Sequence, residues 1–238
     1  MSCESGGNFA CRWWCASVNR IESLEWRRIR VRGADRLSYL QGQLTQDISI
    51  GLSHRSLVLQ PSGEVLSDLE VFVGDDFIDL VAPESLADEV STRLQRFVLR
   101  VDVQFEAVGA VDIEGRLSAL VERAWPSAFE WAHALPPHSF GQHVVDQTVS
   151  FTKGCFTGQE MVGRADARGA TMPWRFIAGR GGDSDSISTL LKNSGPVGPQ
   201  GVSSQYTHED VEYWQGVAHR SFDTSALARL GAELTYFA

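Results

Sequence analysis

The chain of 238 residues predicts an α+β fold: an antiparallel-sheet module with helices on one face, followed by a small C-terminal β-barrel. Three observations carry this. Short alternating strand patterns recur in hairpin-like succession, two helical patterns interrupt them, and beyond Arg175 the chain turns Gly/Ser/Pro-rich with short apolar runs. Residues 1–20 read as a loose tail, 21–170 as the α+β domain and 171–238 as a barrel-like domain.

The elements follow in order. Trp26–Arg32 alternates, with Ile29 and Val31 on one face and arginines on the other, as a strand does. Gly33-Ala34-Asp35 turns into a helix in which Asp35 is placed to cap and Leu37, Leu40 and Leu44 form the apolar stripe. His54–Gln60 is the next strand, closed by the turn Pro61-Ser62-Gly63-Glu64. Val65–Val73 and Phe77–Ala82 pair about the hairpin Gly74-Asp75-Asp76. Pro83-Glu84 opens a helix with the face Leu86, Val90, Leu94 and Phe97, and Arg100–Ala107 is the last strand. The order is β-α-β-β-β-α-β. A helix at about Arg116–Trp125 ends at Pro126, and another spans about Phe156–Ala165. Strand-like runs at Arg175–Ala178, Val211–Ala218 and Glu233–Phe237 make up the C-terminal domain.

Charge and composition narrow the function. There are 21 Lys+Arg against 30 Asp+Glu, a net charge of −9, which disfavours non-specific nucleic-acid binding because that affinity comes from neutralised phosphates. Arg27, Arg28, Arg30 and Arg32 form a local basic strip that could dock RNA, although alternating arginines more commonly mark a solvated strand face. No apolar run approaches the roughly 18 residues of a membrane helix, and residues 1–20 do not resemble a signal peptide. Four cysteines in a chain this long do not make a disulfide framework, so a reducing compartment, the cytoplasm, is expected. Cys3, Cys11 and Cys15 match no common zinc spacing, and an over-extended start is at least as good an account of that tail.

The chemistry concentrates in Ser150-Phe151-Thr152-Lys153-Gly154-Cys155-Phe156-Thr157-Gly158-Gln159-Glu160-Met161-Val162-Gly163-Arg164. Two glycines bracket a cysteine at a predicted helix start, where free N–H groups and the helix dipole favour a thiolate. Lys153 with those N–H groups is suited to a carboxylate or phosphate. Gln159 and Glu160 are suited to the donor and acceptor edge of a pterin or purine, and Lys153 and Arg164 to a polyglutamate tail. A plainer reading has the glycines as a helix entry, Cys155 as a small packed side chain and the charges solvated. The residues alone leave the two readings level.

Lys153-Gly154-Cys155-Phe156-Thr157-Gly158-Gln159-Glu160 resembles the signature of the YgfZ branch of the glycine-cleavage T-protein (GcvT, aminomethyltransferase) superfamily. Two further blocks resemble the same branch: Gly33 through Asp47, which ends Gln41-Gly42-Gln43-Leu44-Thr45-Gln46-Asp47, and Gln60 through Leu69. The resemblance covers residues 26–106 and 120–175. It implies a protein that binds tetrahydrofolate or another reduced folate and supports the assembly or repair of iron–sulfur clusters. Its partners are then iron–sulfur enzymes or cluster-assembly proteins, some of them linked to tRNA modification.

The resemblance also assigns roles. Cys155 is the residue on which the family's function depends, so it is the candidate catalytic group. Lys153, Gly154, Gln159, Glu160 and Arg164 are candidate cofactor contacts. Trp26, seven residues before Gly33, occupies the spacing of an aromatic in the folate pocket of relatives, where an indole face would stack on a pterin or benzoyl ring. Asp68 is placed either to hydrogen-bond a pterin edge or to cap its hairpin.

Two departures matter. Aminomethyltransferases carry paired acids where this chain has Ser67-Asp68, which argues against aminomethyl transfer. Between Phe105 and Arg116, where the family completes a second α/β subdomain, this chain is abbreviated. The alternatives are therefore a folate-dependent aminomethyltransferase and a truncated interaction module without catalysis.

Overall fold

The computed structural model describes residues 18–21, 25–111, 124–169 and 171–238. The chain divides into two compact units, and the division is not a single cut. One unit takes residues 25–111 and 136–169; the other takes 18–21, 124–135 and 171–238. Segment 124–135 therefore belongs with the C-terminal residues although it precedes the signature block.

The first unit is built on a five-stranded antiparallel sheet in the order β3-β4-β5-β2-β6. The strands are β2 (Trp26–Arg32), β3 (Ser53–Leu59), β4 (Val65–Val73), β5 (Ile78–Pro83) and β6 (Gln104–Val111). Helices α1 (Arg36–Gln41) and α2 (Glu84–Gln95) pack on one face, so the expected β-α-β-β-β-α-β order holds. Strand alternation and helical spacing meet in one core, where Ile29, Val31, Leu69, Val71 and Leu80 receive Leu40, Val90 and Leu94 from the helices. Burying each of these larger side chains is worth roughly 1.5–3 kcal/mol, so this face dominates the unit's stability.

Several expectations change in detail. Asp35 does not cap α1; its carboxylate accepts from the Asp102 amide at 2.8 Å. Gly33 has φ +108°, and a Cβ there would lie 2.0 Å from the Asp102 carbonyl oxygen, so only glycine lets the two segments meet. Helix α1 ends before Leu44, which instead bridges to Val58, while Leu37 is exposed. The last strand starts at Gln104 rather than Arg100, because Arg100 adopts φ +59° and breaks the extended run.

The arginines of β2 are all engaged by carboxylates. Arg27 pairs with Glu84 and Asp88, Arg30 with Asp79 at 2.7 Å, Arg28 with Asp79 at 3.6 Å and Arg32 with Asp76 at 2.6 Å. The strip is thus neutralised internally, in line with the solvated-face reading.

In the second unit a five-stranded sheet has the order β1-β8-β9-β7-β10. It comprises β1 (Asn19–Arg20), β7 (Trp174–Gly181), β8 (Gly201–His208), β9 (Val211–His219) and β10 (Ala232–Phe237). All pairs are antiparallel except β1 with β8, and among the described residues β1 and β10 are open edges rather than a closed seam. The short helix α3 (Ala128–Trp131) also belongs to this unit. The Gly/Ser/Pro-rich region conceals strand β8 and a further helix (Ser184–Lys192) whose Ile187 and Leu191 pack against Trp214. The predicted helix at 116–125 falls largely on 112–123, outside the described residues, as does the cysteine-bearing tail. Among the described residues no helix is long and apolar enough to cross a membrane, and no cluster of His, Cys, Asp and Glu is placed to hold a metal ion.

Candidate functional site

The three blocks singled out in the sequence come together. Helix α4 (Gln142–Thr148) leads into the signature block, and α5 (Gln159–Ala167) follows it; the residues between form an irregular loop. That loop is laced to residues 42–46. Thr157 donates its amide to the Gly42 carbonyl at 3.0 Å and its hydroxyl to Gln43 Oε1 at 3.3 Å. Lys153 Nζ donates to the carbonyls of Leu44 at 2.8 Å and Gln46 at 2.9 Å. The Ser150 amide reaches the Thr45 carbonyl at 3.0 Å, and the buried Thr45 hydroxyl donates to the Thr148 carbonyl at 2.6 Å. At roughly 1 kcal/mol net apiece these bonds are modest singly, but together they fix an otherwise irregular segment.

The third block closes the arrangement from beneath. Gly63, with φ +98°, lies under Met161, and a Cβ on Gly63 would sit 2.6 Å from the Met161 Cβ. Gly158, with φ +83°, approaches the Gln60 carbonyl so closely that a Cβ would lie 2.9 Å from its oxygen. Both glycines are required by close approach as well as by backbone conformation.

Cys155 sits between two fastenings, Lys153 two residues before it and Thr157 two residues after. Its thiol is free and exposed. Helix α5 starts only at Gln159, with Gly158 as its N-cap, so Cys155 is not at a helix terminus and the dipole argument for a thiolate lapses. Gly154 beside it is open, with nothing within 4 Å of an added Cβ.

The charged residues take roles different from those read in the sequence. Lys153 spends two of its three N–H bonds on carbonyls, which leaves one for any ligand. Burial, opposed by the charge of Asp47, lowers its pKa to about 8. Glu160 and Arg164 pair with each other on the exposed face of α5. Gln159 turns back to accept from the Phe156 amide at 3.3 Å, steadying the loop.

Trp26 and Asp68 are buried in the sheet, on the face opposite α1 and α2. Trp26 pairs across to Pro83, and Asp68 pairs across to Leu57. Leu57 is in turn bonded to Thr45 in both directions, through Thr45 N to its carbonyl at 3.1 Å and from its amide to Thr45 Oγ1 at 2.9 Å. Asp68 is thus linked through Leu57 and Thr45 to the entry of the signature block.

Sequence reasoning did not identify the fastening residues. Gln43 and Thr45 lay inside a recognised block with no role assigned, and Thr157 inside the signature. Arg93, which also reaches this region from α2, carried no signal beyond its helical position.

Comparison with known proteins gives distant relatives and a shared fold. No family model matches the chain. An uncharacterized protein of Haemophilus influenzae is 26% identical over 202 residues, covering 66% of this chain and 72% of its own length. The tRNA-modifying protein YgfZ of Yersinia pestis (strain Pestoides F) is 26% identical over 220 residues, covering 61% of this chain. The match spans 66% of that relative's length, slightly under two thirds. Among solved structures, the glycine cleavage system aminomethyltransferase T of Bartonella henselae superposes with a TM-score of 0.52 at 12% identity. That superposition covers 82% of this chain and 76% of the other.

The chain thus shares its fold with the glycine cleavage system aminomethyltransferase T. In sequence the chain is distantly similar to the YgfZ proteins, at 26% identity over 61% of its length.

Proposed function

We propose that this chain is a tetrahydrofolate-binding accessory protein that supports iron–sulfur cluster assembly or repair and, through it, cluster-dependent enzymes that modify tRNA. The observation that carries the reading is the link from Asp68 through Leu57 and Thr45 to the signature block, in the sheet that also buries Trp26. An indole and a carboxylate in one sheet suit the flat ring system and polar edge of a pterin. Trp26 and Asp68 are the residues that would hold the ring. Lys153 and Arg164 fit a polyglutamate tail poorly, because carbonyls occupy the first and Glu160 the second. A reduced folate would supply one-carbon chemistry, and Cys155 is an exposed thiol in the signature loop, suited to act as a nucleophile toward it.

Ser67 weighs against aminomethyl transfer. Its buried hydroxyl donates to the Asp68 carbonyl at 2.9 Å, so no carboxylate stands at that position. The net charge of −9 favours a route to tRNA through client proteins, namely iron–sulfur enzymes or cluster-assembly factors in the cytoplasm.

The test is equilibrium titration of tetrahydrofolate into the wild type and into Trp26→Ala and Cys155→Ala. Saturable binding weakened by Trp26→Ala is expected, and absence of saturation in the wild type refutes the folate reading. Capture of iron–sulfur proteins that persists in Cys155→Ala without folate would instead favour a plain interaction module.

A further inference from the structure

Arg93 is a guanidinium buried on α2 with a relative exposure of 5%. Burying such a charge is costly, and an apolar side chain of similar size is often as good for stability. Two of its nitrogens are committed to specific acceptors, while Nη2 is buried without a hydrogen-bond partner. Nε donates to the Leu59 carbonyl at 3.0 Å and Nη1 to Gln43 Oε1 at 3.1 Å, while the guanidinium stacks on Phe97. Both acceptors adjoin the signature loop. Gln43 Oε1 also accepts from the Thr157 hydroxyl, and the Leu59 side chain lies 3.0 Å from where a Gly158 Cβ would be.

We infer that Arg93 is the positioning residue of the Cys155 loop: it sets Gln43 and the end of β3, and through them holds Thr157 and Gly158. A planar fork reaches two acceptors on separate segments, which a lysine cannot do in the same geometry. The amide oxygen of Gln43 has two lone pairs, and Arg93 and Thr157 use both. The consequence for ligand binding rests on the folate reading above; the consequence for the loop does not.

The experiment compares Arg93→Met, Arg93→Lys and Gln43→Leu with the wild type by residue-resolved amide hydrogen exchange and by tetrahydrofolate titration. In Arg93→Met the Thr157 amide exchanges about tenfold faster, as for the loss of one hydrogen bond, while amides of β5 keep their protection. Arg93→Lys recovers part of the protection. Gln43→Leu leaves α2 intact and gives the same acceleration, which tests the Gln43 link, and if Arg93→Met does not fold the partial acceleration in Arg93→Lys decides the role of Arg93. Unchanged Thr157 exchange in folded Arg93→Met, or in Gln43→Leu, overturns the inference. Should the wild type fail to bind tetrahydrofolate, the functional reading falls and the exchange comparison still judges Arg93.

Discussion

Lys153 donates from Nζ to the Leu44 carbonyl at 2.8 Å, so the lysine of one sequence block is held by the backbone of another more than a hundred residues earlier. The ammonium is half buried, and its pKa falls to about 8 from an ordinary 10.5. Between these values the unfolded chain binds more protons than the folded one, so stability rises with pH across that window. Wild type should therefore gain on Lys153→Met between about pH 8 and pH 10, with a slope of at most about 1.4 kcal/mol per pH unit. Urea midpoints for the two proteins across this range check it; parallel curves would contradict the assignment.

The glycines of the site separate by the space around them. Gly63→Ala forces a Cβ against Met161 at positive φ and should cost about 2–3 kcal/mol. Gly154→Ala meets nothing and should change stability by less than about 0.5 kcal/mol. Thermal unfolding distinguishes them. If Gly154→Ala nonetheless weakens tetrahydrofolate binding, the bare backbone beside Cys155 is reserved for a ligand.

Much of this arrangement could be read from the chain and part could not. The sequence located β2 and β4 to the residue, because Ile29 and Val31 alternate with arginines in β2 and turn residues bound the apolar run Val65–Val73, although that run is buried on both faces at its start. Strand β8 escaped because its inward residues Val202, Ser204 and Tyr206 include a buried serine, which carries no apolar signal. The helix after Cys155 was placed too early, since a left-handed Gly158 delays it to Gln159. At the site, motif spacing picked out Cys155, Lys153 and Asp68, but a lysine bonded to carbonyls reads in sequence like one waiting for an anion. Arg93 was invisible because its partners, Gln43 and Leu59, are distant in the chain.

His133 should make the protein sensitive to mild acid. Its Nε2 is buried, and burial lowers the imidazole pKa to about 4 from 6.5. The folded state therefore resists a proton that the unfolded chain accepts, and stability is lost as pH falls from about 6.5 toward 4. His133→Gln removes this term. Its stability relative to wild type should improve on acidification by up to about 1.4 kcal/mol per pH unit, measurable by denaturant unfolding at several pH values. A constant difference would show that the ring protonates freely in the native state.

Glu130 anchors segment 124–131 to strand β8. The carboxylate is fully buried and accepts from the Ser127 amide at 2.8 Å, from the Ser127 hydroxyl, and from the hydroxyls of Ser203 at 2.9 Å and Ser204 at 2.8 Å. Every partner is a donor, so an acceptor-only group is what the site requires. Burial and the charge of Glu130 together raise the pKa of the nearby Tyr206 hydroxyl, which keeps it neutral. Glu130→Gln conserves shape but points an amide N–H₂ at hydroxyls and an amide already committed to donating, and should cost about 2–4 kcal/mol. Glu130→Asp keeps the charge but is too short to reach both Ser127 and β8, so it should also destabilise. Chemical denaturation of the three proteins tests this, and a Glu130→Gln variant as stable as wild type would mean that the serines reorient to other partners without cost.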